Sequence, residues 1–400
     1  MDRAYDIGLK EALSLTFDAI RVLKPAPMPV HEVCGLVAAE DLRAVVDCPS
    51  ATSSLRDGFA VVSGDIAKAS RENGIPLRIS GTLAAGDPTL KTVQSGETVE
   101  VLTGAVIPKG ADAVVSVEFT ERRGDKVICF RDAPPGCNLL FQGSDVAKDG
   151  LIVSRGQALT PALTGLLAAG GLDRVKVCPH PRVGIVATGD EVIAPGHSLK
   201  PGQLYASNMV TLYSWLRHFG MSGETAVVRD HPVELKETFQ ELLSRNDALL
   251  TSGGAWKSER DLTTRVLDEM GWEMFFHRVR IGPGKAVALG ILDGKPIFCL
   301  PGGPPSNEMA FLQIALPGLF QMAGKPNTPF PLKKVRLAEK VRGDVTWTQF
   351  FQASLEKRGG EWWGIPHHMK SRIQSQARAQ ALIRIPEGVQ CLTPGNIIDV

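Results

Sequence analysis

The sequence predicts a multidomain α/β protein: a doubly wound, mostly parallel sheet with helices on both faces, an inserted β-rich domain, and a small β domain at the C-terminus. Three observations carry this. From Arg182 to Leu319, short apolar runs of strand length alternate with helix-length amphipathic segments, the signature of parallel strands joined by helical crossovers. Between Pro76 and Phe130 the pattern changes to short strands separated by turns, as an inserted β domain requires. A proline-rich stretch, Gly324 to Pro331, then separates the α/β segment from a final run of strand-like pieces.

In chain order, Ala12, Leu13, Phe17, Ile20 and Leu23 fall on one face at helical spacing, and Lys24-Pro25-Ala26-Pro27 ends that helix. Val30 to Val46 reads as helix or strand. Strands follow at Leu77–Ile79, Thr98–Leu102, Ala113–Val117 and Lys126–Cys129, and Leu159–Ala169 reads as a helix broken by Gly170-Gly171. Val175–Val177 is a short strand. The α/β segment then runs as strand Val183–Ala187, helix Asn208–Phe219, strand Glu224–Val228, helix Pro232–Ser244 and strand Ala248–Thr251. It continues with helix Leu262–Met270, strands Ala286–Leu289 and Ile297–Leu300, and helix Ser306–Leu319. Val335–Lys340, Thr348–Glu356, Ala381–Ile385 and Asn396–Val400 are the strands expected after the linker.

Three of these strands end in loops of one kind: Thr188-Gly189-Asp190-Glu191, Ser252-Gly253-Gly254 running on to Asp261, and Pro301-Gly302-Gly303-Pro304-Pro305-Ser306. In open α/β sheets ligands lie beyond the carboxyl ends of the strands, where glycines admit a close backbone approach and helix starts offer N–H groups to an anion. Three such junctions in one segment point to one pocket for a phosphorylated ligand. Asp261 suits a ligand hydroxyl, a cation or a helix cap. Asp57, directly before Gly58, reads by itself as a turn residue, and Thr103 offers a hydroxyl to a ligand or stabilises the turn before Gly104.

The 44 basic and 43 acidic residues leave a formal charge of +1, which gives no forecast of nucleic-acid binding. No apolar run reaches the ~20 residues that span a bilayer, and Met1-Asp2-Arg3 leads into no signal-like core. A cytoplasmic protein with no membrane partner is expected. Seven cysteines stand singly without a CxxC pair, which argues against a disulfide framework or a thiolate metal site.

Taken together, several separated motifs resemble the molybdopterin molybdenumtransferases of the MoeA and gephyrin E-domain type, and the likeness extends almost end to end. They are Ser54 with Asp57-Gly58-Phe59-Ala60-Val61, Thr103-Gly104-Ala105 with Pro108 and Gly110-Ala111-Asp112-Ala113-Val114-Val115, and Thr188-Gly189-Asp190-Glu191. Ser207-Asn208, Ser252-Gly253-Gly254 with Asp261, Pro283-Gly284-Lys285, and Leu300-Pro301-Gly302 with Pro304 and Ser306 complete the set. The resemblance implies a molybdopterin-binding α/β domain over residues 1–25 and 179–326, and a linking domain over 26–46 and 143–178. It implies the inserted β-rich domain over 47–142 and a C-terminal β-barrel-like domain over 327–400. It also implies a homodimer with the active site between the α/β domain and the inserted domain of the other subunit. The implied reaction inserts molybdate or tungstate into adenylylated molybdopterin and releases AMP with Mg²⁺. By position, the catalytic residues are Asp57, Thr103, Glu191, Asp230 and Asp261, with Glu191 and Asp261 as metal ligands. The substrate-binding residues are Ser252, Gly253, Gly254, Arg278, Arg280, Lys285, Pro301, Gly302, Ser306 and, by a looser match, Ser371. Transient contact with a molybdopterin adenylyltransferase or with recipient molybdo- or tungsto-enzymes is implied as well.

The chain departs from the family pattern at several places. Gly282 stands where a lysine is usual, Arg278 replaces another lysine with Arg280 between them, and Gly303 and Pro305 alter the Pro-Gly-Asn-Pro-Val-Ser loop. Ala255-Trp256-Lys257-Ser258 is bulkier than usual, Arg56 replaces methionine, Ala206 replaces an acid, and Trp347 and Gln352 stand about where arginines are expected. Arg280 or Lys257 is the candidate to restore lost charge, although arginine and lysine are not equivalent at a tight anion site. Three readings stay open: an active metal-inserting transferase, a non-catalytic module that carries molybdopterin or the finished cofactor, and a scaffold that keeps only the dimer fold.

Overall fold

The computed structural model describes residues 4–88, 91–253, 262–326, 330–368 and 372–400. The chain divides into two compact units, Pro27–Val177 and Met1–Ala26 with Cys178–Val400.

In the unit Pro27–Val177, a six-stranded sheet runs in the order Thr120–Arg123, Lys126–Cys129, Ile75–Leu83, Glu97–Val101, Gly58–Val61, Ala113–Ser116. Ile75–Leu83 and Glu97–Val101 pair in parallel and the other neighbours are antiparallel. Side chains alternate across a strand. Phe59 and Val61 therefore join one core with Leu77, Val115 and Val127, while Ala60 joins a second with Val99, Val101 and Val114. A sheet buried on both faces reads as continuous apolar runs, as Gly58–Val61 and Ala113–Ser116 do. The buried hydroxyl of Thr98 donates to the Ala60 carbonyl at 2.7 Å. A separate core gathers Val33, Leu36, Leu42, Val153, Leu159, Leu167, Val175 and Val177. Its helix Pro161–Ala169 starts where the sequence provides an N-cap and a proline: Thr160 Oγ1 accepts the Leu163 N–H at 3.3 Å.

In the other unit, a seven-stranded sheet has the order Ala4–Ile7, Glu273–Val279, Ala288–Leu292, Lys295–Leu300, Ala248–Ser252, Arg182–Thr188, Ser222–Val228. It is parallel except at Ala288–Leu292, which runs antiparallel to both neighbours. Two strands go beyond the sequence reading. Ala4–Ile7 exposes Tyr5 and Asp6 at the sheet edge, and Glu273–Val279 follows the helix Leu262–Glu269 after the three residues Met270, Gly271 and Trp272. Both faces are covered. Ala248 and Leu250 pack with helices Leu9–Ala19, Ser207–His218 and 304–322, whereas Leu249 and Val186 pack with helices Pro232–Arg245 and Leu262–Glu269. Each fully buried Leu or Phe in these layers stabilises the fold by about 1.5–3 kcal/mol. Gly184 is hemmed in from two sides: a β-carbon there would lie 2.4 Å from Leu249 Cδ2 on the adjacent strand and 3.2 Å from Leu242 Cβ on the covering helix.

The helical run 304–322 is interrupted by a π segment, Phe311–Ala315, just before Pro317. Proline has no N–H to give and its ring crowds the carbonyl four residues back, so the turn before it widens. The same unit contains a C-terminal sheet ordered Ile281–Gly282, Thr348–Arg358, Glu361–Pro366, Lys334–Leu337, Ile397–Asp399, with Ala381–Ile385 also paired to Thr348–Arg358. Its core is Val335, Leu337, Ala353, Ile383, Ile385 and Ile398. Glu361–Pro366 is absent from the sequence reading, and Ile281–Gly282 joins this sheet through the parallel pair Gly282–Gln349.

Candidate functional site

The neighbouring parallel strands Lys295–Leu300, Ala248–Ser252 and Arg182–Thr188 place their carboxyl ends side by side, so the starts of the three loops singled out in the sequence meet. Gly253 donates its N–H to the Leu300 carbonyl at 3.2 Å. Its φ is +104°, and a β-carbon there would lie 2.6 Å from the Thr188 carbonyl oxygen. Only glycine serves both demands. Gly302 approaches in turn, a β-carbon on it lying 3.8 Å from Gly253 Cα.

Two carboxamides behind these loops were not in the expected site. Asn208, on the helix Ser207–His218, donates through Nδ2 to Ser252 Oγ at 3.1 Å and to the Gly302 carbonyl at 2.8 Å. Asn307, only 1% exposed on the helix Pro304–Ala310, donates through Nδ2 to Ser252 Oγ at 3.1 Å and to the Pro301 carbonyl at 2.9 Å. Position 303, where the resemblance leads to an asparagine, is glycine, and a buried asparagine stands four residues further on. One carboxylate fastens the helices behind the loops: Glu308 accepts the Trp215 indole N–H at 2.9 Å and a Gln376 amide hydrogen at 2.9 Å. Gln376 also donates to the Pro304 carbonyl at 3.1 Å.

The acids lie at the outer end of this group. The Thr188 hydroxyl donates to Asp230 Oδ1 at 2.7 Å, and the Asp230 N–H donates to Asp190 Oδ1 at 3.2 Å. Glu191 folds its carboxylate back over Gly189, 2.8–3.0 Å from where a β-carbon would be. Asp190, Glu191 and Asp230 are exposed, and carboxylate oxygens are the donors a hard divalent cation takes. Among the described residues, no three acid, histidine or cysteine side chains are grouped to hold a metal. Asp261, the second expected ligand, lies outside the described residues together with Gly254 and Ser371.

The cations are distributed differently from the sequence expectation. Arg280 is taken up by structure: its guanidinium donates to the Asp6 carbonyl, to the Thr346 carbonyl at 3.2 Å, and pairs with Glu387 at 3.5 Å. Arg278 pairs with Asp6 at 3.2 Å and sits at φ +71°. Lys285, half-buried, holds its ammonium 4.8 Å above the Trp347 ring, a cation–π contact. Next to the altered loop stands a cation missing from the expected set: an Arg372 guanidinium nitrogen is 3.9 Å from where a β-carbon on Gly303 would lie, as is Ser306 Oγ. Nothing in the spacing of Arg372 marks it; only the packing of its helix against Pro304 does.

In the unit Pro27–Val177, Asp57 and Thr103 meet. Asp57 Oδ1 accepts both the Thr103 N–H at 2.6 Å and its hydroxyl at 2.7 Å. The Thr103 hydroxyl and then its N–H hold the Asp57 carboxyl below the usual carboxylate range. Asp57 is exposed, so what its neighbours supply is a fixed negative charge at the end of an apolar strand.

Comparison with known proteins gives a consistent picture. Residues 7–171 match the family model described as the MoeA N-terminal region (domain I and II), and residues 184–321 match the one described as a probable molybdopterin binding domain. The chain is 30% identical over 399 residues to molybdopterin molybdenumtransferase 2 of Mycobacterium tuberculosis, covering 98% of each chain. It is 27% identical over 403 residues to a molybdopterin molybdenumtransferase of Staphylococcus epidermidis, covering all of this chain and 96% of that one. A crystal structure of a molybdopterin biosynthesis MoeA protein from Pyrococcus horikoshii superposes with a TM-score of 0.83 at 31% identity, covering 99% of this chain and 98% of that one.

Proposed function

Because the chain belongs to the molybdopterin molybdenumtransferase (MoeA) family, we propose that it is a transferase of molybdenum cofactor biosynthesis that inserts molybdate or tungstate into adenylylated molybdopterin and releases AMP. One observation carries the reading: three parallel strand ends with glycine-lined loops are locked to one another around Ser252, with acids at the rim and Lys285 and Arg372 as cations. A phosphorylated, anionic ligand needs such an arrangement.

Cleaving a phosphoanhydride places negative charge on phosphate oxygens, which fixed donors and cations stabilise without reorganising. Ser252 and the Gly253 and Gly302 backbone line the approach, and Lys285 is free to exchange its contact with Trp347 for one with an anion. A divalent cation bound by Glu191 and Asp261 would neutralise phosphate charge during the cleavage. Asp57, held ionised by Thr103, serves in the pocket of a second copy in a homodimer. The four-domain division, the cytoplasmic location and transient contact with recipient enzymes belong to the same proposal.

The test is AMP release from adenylylated molybdopterin with Mg²⁺ and each oxyanion. Release that needs both supports the transferase. Retention of the nucleotide with normal pterin binding supports the carrier reading instead, which the structural use of Arg278 and Arg280 favours.

A further inference from the structure

The hydrogen bonds around Ser252 settle which way its hydroxyl works. Asn208 and Asn307 each give one Nδ2 hydrogen to a backbone carbonyl, Gly302 at 2.8 Å and Pro301 at 2.9 Å. A carbonyl only accepts, so the nitrogen of each carboxamide must face that way. The second hydrogen on each nitrogen then goes to Ser252 Oγ, at 3.1 Å in both cases. A serine hydroxyl has two acceptor positions and one hydrogen. Both acceptor positions are filled. Ser252 is 6% exposed, and among the described residues nothing accepts its hydrogen.

We infer that Asn208 and Asn307 are positioning residues that fix Ser252 as an obligate hydrogen-bond donor at the end of the strand Ala248–Ser252, so that the ligand atom seated there is an unprotonated acceptor oxygen of a phosphate or a metal oxyanion. A hydroxyl that accepts nothing from its ligand rejects protonated groups, whose hydrogens find no acceptor, and takes an oxyanion with no rotational freedom left to lose. Neither asparagine touches the ligand in this account; each acts through Ser252. The inference rests on the reading in which these strand ends hold the anionic ligand.

Two experiments test it. The first is neutron diffraction from the wild-type protein without ligand. The deuterium on Ser252 Oγ is expected to point away from both carboxamides, beyond the strand end; a deuterium directed at Asn208 or Asn307 overturns the inference, whatever the activity of the protein. The second is a double-mutant cycle on AMP release. Ser252→Ala is expected to raise the KM for adenylylated molybdopterin about 10- to 100-fold, the loss of one hydrogen bond to a charged group. Asn208→Leu, which lets the hydroxyl rotate, should raise it about three- to tenfold, and should add nothing in the Ser252→Ala background. An additive double mutant overturns the inference. A merely structural role for Asn208 would lower the folded fraction and with it the apparent kcat, leaving KM unchanged, and that outcome overturns it too. A rise in the molybdate requirement instead of the pterin KM assigns the seated oxygen to the metal oxyanion rather than to phosphate, and supports the donor role equally. Should wild type neither bind the pterin nor release AMP, the proposed function fails, while the direction of the hydroxyl is still decided by the neutron map.

Discussion

Adding a lysine at Gly282 tests whether this loop receives the oxyanion. Gly282 lies on the short strand Ile281–Gly282, paired with Gln349, and its φ is not in the left-handed region. A β-carbon there would meet Gln349 Cγ at 3.6 Å and Nε2 at 3.8 Å, ordinary contact distances, so Gly282→Lys should fold as wild type. The ammonium would be carried beside Pro283-Gly284-Lys285. An ion pair at contact distance is worth about 4 kcal/mol at an effective dielectric of 20, but desolvation and solvent screening leave about 1 kcal/mol for a partly exposed group. That is roughly a fivefold reduction in the oxyanion concentration giving half-maximal AMP release, with little change in the KM for the pterin. The assay is a titration of molybdate and of tungstate against wild type, Gly282→Lys and Arg372→Ala. Because Arg280 and Arg278 are bound to Asp6 and Glu387, Arg372, beside Gly303, is the other cation to test, and its removal should raise the requirement by a similar factor if the oxyanion reaches that loop as well. If all three proteins respond alike to both anions, the oxyanion binds away from this loop and the reasoning fails.

Three further outcomes are expected. Thr103→Val removes the hydroxyl that most lowers the Asp57 pKa; NMR titration should show that pKa rising toward the usual carboxylate range, and an unmoved value would refute the assignment. In linkage terms the depressed folded pKa gives stability that is present above the unfolded value, near 3.8, and lost as pH falls through the folded value; Thr103→Val should flatten that acid-side loss. Gly184→Ala forces a methyl into Leu249 and Leu242 and should cost about 1–3 kcal/mol in denaturant melts, with kcat per folded molecule retained; an unchanged midpoint would mean the helix Pro232–Arg245 yields freely. Mixing an Asp57→Ala chain with an Asp261→Ala chain should restore about half the pockets of each mixed dimer, by two-fold symmetry; mixed dimers without activity would place both residues in one chain's own site.

The strands that the sequence announces most clearly are those whose apolar residues are bounded by turns. Lys126–Cys129 and Ala381–Ile385 have the expected limits, the three strands that end at the candidate site differ by one or two residues, and Leu77–Ile79 and Ala286–Leu289 become Ile75–Leu83 and Ala288–Leu292. Ala4–Ile7 is illegible because its stability comes from its neighbour: it is a polar edge strand with pairing on one side. Glu273–Val279 was readable in principle from Met274-Phe275-Phe276, and Glu361–Pro366 from the Gly359-Gly360 turn that makes it a hairpin with Thr348–Arg358. The loops at the candidate site could be found because glycine, serine and acid at a strand's end have few other uses. Asn208 and Asn307 could not be placed there from spacing. Each sits inside a helix and is brought to Ser252 only by the packing of two helices that are about a hundred residues apart in the chain.

The π segment at Phe311–Ala315 makes the site depend on helix phase. It carries one more residue per turn than the helix on either side, so it sets the angle between Asn307 upstream and the core-facing Leu316, Leu319 and Phe320 downstream. Deleting one residue within 311–315 would regularise the backbone without turning the upstream segment, because four α-helical residues turn through about 400°, about as far as the five π residues they replace. Deleting a second residue would leave nothing to absorb the change and would turn Asn307 by about 100° away from Ser252. Along this helix, chain length is itself under constraint: the π segment takes up one residue, and a change of count beyond that is felt upstream, at the buried Asn307 behind the loops.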